Sequence, residues 1–124
     1  MDDIFNSIFS KYDEKISSLA LAARNFLIKN LSDIIEIPDL PANMLAYGYG
    51  KGYKDMICTI IPSKKEIKIG FNRGSEFKDS HNLLKGSGKV HKYIVIRTES
   101  DIHDPRVLEL LEEALNAYRL RTSK

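Results

Sequence analysis

Two hydrophobic periods divide this chain, and their order restricts the fold more than any other feature. Between residues 4 and 31 the apolar side chains recur at steps of three and four: Ile4, Phe5, Ile8, Phe9, Tyr12, Ile16, Leu19, Ala20, Ala23, Phe26, Leu27 and Leu31. That is one face of a helix. Ser10 and Asp13 are N-cap residue types inside the run, so the spacing predicts a short helix to about Phe9 and a longer one over 13–30. Ile37-Pro38-Asp39-Leu40-Pro41 ends helix formation, because proline lacks the amide donor and restricts its predecessor. From Met44 the period changes to two. Residues 44–50 read as a glycine-broken, aromatic strand, short or bulged, and 53–61 as an apolar β-branched strand. Pro62-Ser63-Lys64-Lys65 is a turn. After it Ile67, Ile69 and Phe71 alternate with Glu66, Lys68 and Gly70, which predicts an antiparallel hairpin.

Residues 72–89 read as a loop punctuated by Gly74, Gly86 and Gly88, with Leu83-Leu84 on a short helical turn over the sheet. Residues 90–97 are a further strand. Asp104-Pro105 opens a last helix, with Asp as N-cap and Pro at the first helical position. Val107, Leu108, Leu110, Leu111, Ala114, Leu115 and Tyr118 form its expected buried face, and 121–124 are expected to fray. Helices at the ends and strands in the middle predict an α+β fold on an antiparallel sheet, not βαβ alternation. At 124 residues, with no linker or repeat, the chain is expected to be one domain, 1–124, with its core over about 14–118.

Charge is unevenly placed. Residues 1–50 carry 7 acids and 4 bases, 51–97 carry 11 bases and 4 acids, and 98–124 carry 6 acids and 4 bases. The segments are therefore −3, +7 and −2, summing to the net +2. That total is too small to imply nucleic acid. The +7 middle, however, makes the sheet and its loop a basic surface suited to a small anion or an acidic partner. Arg73, Gly86, Gly88, Lys89 and Lys92 are the candidate anion-binding residues, since glycine-rich turns can point successive amides at an anion. Gly86-Ser87-Gly88-Lys89 is not a nucleotide P-loop. Leu83 stands where the first glycine belongs, Val90 stands where Ser or Thr would hold magnesium, and a strand follows instead of a helix.

The remaining chemistry-bearing residues are sparse. One cysteine excludes an internal disulfide and any multi-cysteine zinc site, and Cys58 sits in an apolar strand as a small hydrophobe. His81, His91 and His103 are ten and twelve residues apart, and no two share a helix face. Asp13, Glu14, Glu109 and Glu113 are the candidate metal ligands. Glu109 and Glu113 lie at i, i+4 on one helix face, and oxygen donors suit iron and similar cations. Tyr47, Tyr49 and Tyr53 interleave with glycines, but only Lys51 and Lys54 lie near them, which makes nucleic acid an unlikely partner. No nucleophile–base pair is present, so the expectation is a non-catalytic protein. The acidic start at Asp2 and Asp3 lacks the basic-then-apolar signature of a secretory signal, and no run reaches the roughly 20 apolar residues of a membrane span. A cytoplasmic protein is expected. No motif specifies an oligomeric state, although an exposed apolar face on residues 4–12 would serve as a docking surface.

The second half carries a resemblance. Ile67-Lys68-Ile69-Gly70-Phe71-Asn72-Arg73-Gly74, then Leu83-Leu84-Lys85-Gly86-Ser87-Gly88-Lys89, then Tyr93-Ile94-Val95-Ile96-Arg97, then Asp101-Ile102 and an apolar helix, resembles the YdhG-like family. The Tyr47-Gly48 pair after a long helix fits the same pattern, and the resemblance spans roughly 14–118. These are small bacterial proteins, mostly described as a domain of unknown function. The chain departs from the pattern at Asp79-Ser80, where Asp-Pro is usual, at Lys92, where Arg is usual, and at Gly50, where Pro is common. The resemblance implies terminal helices flanking an antiparallel sheet, a fold described for some members as frataxin-like. It also implies an intracellular iron chaperone that supplies iron–sulfur assembly proteins, with iron held by exposed carboxylates.

Overall fold

The computed structural model describes residues 3–79, 81–86 and 91–123. Its order is α1 (Asp3–Phe9), α2 (Glu14–Asn30), β1 (Ile35–Asp39), β2 (Met44–Gly48), β3 (Met56–Pro62), β4 (Ile67–Phe71), β5 (Lys92–Ile96), α3 (Glu99–Ile102) and α4 (Pro105–Thr122). Five strands form one antiparallel sheet in sequence order. This is the α+β fold expected, with helices at both ends of the chain. No helix of the described residues is long and apolar enough to cross a membrane.

Local chemistry explains most boundaries. The Asp13 carboxylate accepts from the Ile16 amide at 3.0 Å and caps α2. Asp104 accepts from the Arg106 amide at 3.0 Å, with Pro105 at the first helical position of α4. The β3–β4 turn closes through the Ser63 amide on Glu66 O at 3.0 Å. Residues 44–48 form the short strand expected, but the bulge is on its partner β3, where Tyr47 pairs with Cys58 and Gly48 with Met56. Ile57 is the extra residue, so both Ile57 and Cys58 are buried.

Other expectations are corrected. Residues 35–39 form β1, which the Pro38 break conceals; an edge strand tolerates a proline that cannot donate to a ladder. Leu83 and Leu84 are not helical. Their amides donate to the Asp79 carboxylate at 2.8 and 2.9 Å, and Lys85 then bridges Tyr93 beside β5. A short α3 precedes α4, set by a Thr98–Asp101 capping box. Leu108 is 38% exposed instead of buried. The α1 surface is not free for docking, because Phe5, Ile8 and Phe9 are buried in the protein's own core. Arg121 does not fray; α4 runs to Thr122 and holds its side chain 19% exposed.

Pairing registers assign every strand residue to a face. One face carries the rows Pro38–Leu45–Ile60–Ile69–Ile94 and Glu36–Tyr47–Cys58–Phe71–Lys92, with Pro62, Ile67 and Ile96 beyond. Helices α2 and α4 pack here, and the buried core joins their apolar stripes to Leu45, Tyr47, Ile60, Ile69 and Ile94. The opposite face carries Asp39–Met44–Ile61–Lys68–Val95 and Ile37–Ala46–Thr59–Gly70–Tyr93. Of its apolar residues Ala46 is buried, while Ile37, Met44, Ile61 and Val95 are half-buried and lie outside the core cluster.

Candidate anion-binding site

The registers place Gly48, Met56, Phe71 and Lys92 at one end of the sheet. The connections at that end, 49–55 and 72–78, bring Lys51, Lys54 and Arg73 there, beside the C-terminal turns of α4. Arg73 has φ 57°, in the left-handed region, and starts a 3-10 turn at Gly74–Glu76. Gly74 is required there, since a Cβ would lie 2.6 Å from Lys92 Cβ. That close approach seats Lys92 beside the turn, and its ammonium donates to Gly86 O at 2.8 Å. Gly86, at φ 105°, supplies the backbone conformation that aims this carbonyl. The structure thus brings Arg73, Gly86 and Lys92 to one end of the sheet. Gly88 and Lys89 lie outside the described residues.

Arg121 was missed by the sequence reading. Its guanidinium donates from Nη1 to Glu76 Oε1 at 3.2 Å, while Arg73 Nη1 donates to Glu76 Oε2 at 3.2 Å. One carboxylate therefore bridges two arginines, leaving one net positive charge. Arg121 Nε is buried and has no hydrogen-bond partner. A buried donor without an acceptor costs about 1–3 kcal/mol. Arg73, Glu76, Ala117, Leu120 and Arg121 line an open cavity of about 340 Å3. The pair is fixed from behind: Arg121 stacks 5.6 Å from the Tyr118 ring, and Tyr118 donates its hydroxyl to Asp55 at 2.8 Å. Burial, followed by the bond to Asp55, pushes the Tyr118 phenol above its ordinary pKa, so at neutral pH it stays a neutral donor. Arg119 faces Tyr49 nearby and adds further positive charge.

The acids expected to hold metal are placed separately. Asp13 and Glu14 start α2, and Glu109 and Glu113 lie on α4. Glu113 accepts from the Asp79 amide at 2.8 Å and Glu109 pairs with His81, so both pin the loop that follows β4. No group of three or more His, Cys, Asp and Glu among the described residues is arranged to hold a metal ion. His91 pairs with Tyr53, and His103 lines a different cavity, between α2 and α4. Burial pushes the Cys58 thiol up to about 12, far from thiolate chemistry.

No family model, curated protein or solved structure matches this chain.

Proposed function

We propose that this protein is a non-catalytic binding module for an anionic group, small or carried on an acidic partner, received at the basic end of its sheet. The observation that carries this reading is the Arg73–Glu76–Arg121 bridge, whose two arginines line an open cavity. Guanidinium forks match carboxylate and phosphate oxygens two at a time. An entering oxyanion can displace Glu76 from the Nη1 atom of either arginine. The Arg73–Glu76 contact is cheap to displace, because exposed ion pairs contribute only about 0–1 kcal/mol. Exposed Leu120 on the rim favours a ligand that carries apolar surface beside its charge.

Calorimetric titration with inorganic phosphate and with a glutamate-rich peptide tests the reading. Binding is expected to weaken steeply with added salt and to fall roughly tenfold or more in the Arg73→Ala, Arg121→Ala variant. Equal binding by the variant rejects the site. Anaerobic titration with ferrous iron tests the iron-carrying role implied by the YdhG-like resemblance. That role predicts stoichiometric binding, absent with magnesium and lost when Asp13, Glu14, Glu109 and Glu113 are changed to amides.

A further inference from the structure

An antiparallel sheet covered on one side normally shows water a polar alternate row. Here the uncovered face offers half-buried Ile37, Met44, Ile61 and Val95 around Thr59, Lys68 and Tyr93, with Ile35 46% exposed at its margin. Five strands about 4.8 Å apart, each about five residues long at about 3.3 Å per residue, give roughly 400 Å2 in plan. That area includes Asp39, Thr59, Lys68 and Tyr93, and the apolar side chains gathered between them make the face a candidate interaction surface.

We propose that this open face is the contact between two copies of the chain, stacked sheet to sheet. It carries one charge of each sign: Lys68 Nζ lies 4.5 Å over the Tyr93 ring, and Asp39 accepts from the Ala42 amide at 3.2 Å. Asp39 on β1 pairs with Met44 and Lys68 on β4 pairs with Ile61; Met44 and Ile61 each adjoin the Leu45–Ile60 pair, so the two charges stand level at opposite sides of the face. A two-fold axis parallel to β3 sets β1 of one copy over β5 of the other and β2 over β4. Each Asp39 then comes within one strand spacing of the partner's Lys68, and Ile61 meets Ile61. The area decides the strength. A standard interface buries about 800 Å2 per partner, so this one falls at the weak, concentration-dependent end.

Sedimentation equilibrium of the full chain from micromolar to near-millimolar concentration tests the proposal. The mass is expected to rise from 14.1 kDa toward twice that value. Ile61→Lys, in the centre of the face and outside the core, is expected to weaken association roughly tenfold or more. Thr59→Arg, in the adjacent row, is an independent second variant, and circular dichroism checks that each is folded. A wild-type mass that stays at 14.1 kDa throughout overturns the proposal. So does association by either folded variant as strong as the wild type's.

Discussion

The two faces of the sheet are made from similar residues but under different constraints. On the covered face, Ile60 and Ile67 are wholly buried and Ile69 nearly so, and the neighbouring helices supply matching apolar stripes. On the open face the next residue along β3, Ile61, is half-buried by its own neighbours alone. The covered face specifies the fold because each of its side chains fills a space that nothing else fills. The open face is available for docking because its apolar residues can be changed without leaving a hole. Apolar composition alone does not distinguish the two; the registers do.

The contrast is broken most directly by two alanines one residue apart. Ile60→Ala is expected to cost about 2–5 kcal/mol, as a buried large-to-small change that leaves a cavity. Ile61→Ala is expected to cost under about 1 kcal/mol in the monomer. Urea unfolding at low protein concentration measures both, and equal losses would mean that the open face is packed after all.

A polar cluster sharpens the comparison at the margin of the covered face. Glu36 accepts from Arg24 Nε at 2.7 Å, Arg24 Nη2 at 2.9 Å and the Tyr47 hydroxyl at 2.6 Å. It ties α2 to β1 and β2 over a wholly buried Tyr47. The arginine and glutamate side chains are 18% and 21% exposed. The loss on Glu36→Gln is therefore expected at about 1–3 kcal/mol, less than for a fully buried pair. Burial, the bond to Glu36 and its charge together hold the Tyr47 phenol far above its ordinary pKa, so it donates at any pH where the protein is folded. A loss as small as that of Ile61→Ala would show that water replaces the carboxylate freely.

The fold was legible where its signals are local. Asp13, Asp104 and Pro105 mark helix starts within three residues of their own amides, and the 66–71 alternation reads a face directly. β1 was hidden because Pro38 signals a break and only pairing with β2 makes it a strand. The candidate site was half legible. Arg73, Gly86 and Lys92 stood out by charge and glycine spacing. Arg121, 45 residues beyond Glu76, looked like a fraying terminus. The only signal for it was amphipathic: Tyr118 and Arg121 are three apart, so a buried Tyr118 turns Arg121 toward the same face. The carboxylates Glu109 and Glu113 were correctly placed on one helix face, but their use in pinning the loop through Asp79 and His81 needed tertiary structure.

The smallest expected effect lies at the start of α4, where exposure makes the protein least dependent on any one side chain. The Arg106 side chain, then its amide, holds the Asp104 carboxyl down to about 2, below the usual value near 3.9. A depressed carboxylate stabilises the fold above its unfolded pKa and loses that contribution as pH falls through the folded value. Asp104→Asn keeps the cap geometry, since Asn caps about as well as Asp, and removes only the charge. The variant should therefore melt slightly below the wild type at neutral pH. The gap should stay constant down to about pH 4 and close between about pH 4 and pH 2. Asp101, also depressed by amide bonds from the Arg97–Thr98 segment, titrates in both proteins and cancels in the difference. Thermal melts at paired pH values measure the gap. A gap that persists below pH 2 would assign the effect to cap geometry, and one that closes near neutrality would assign it to a group other than Asp104.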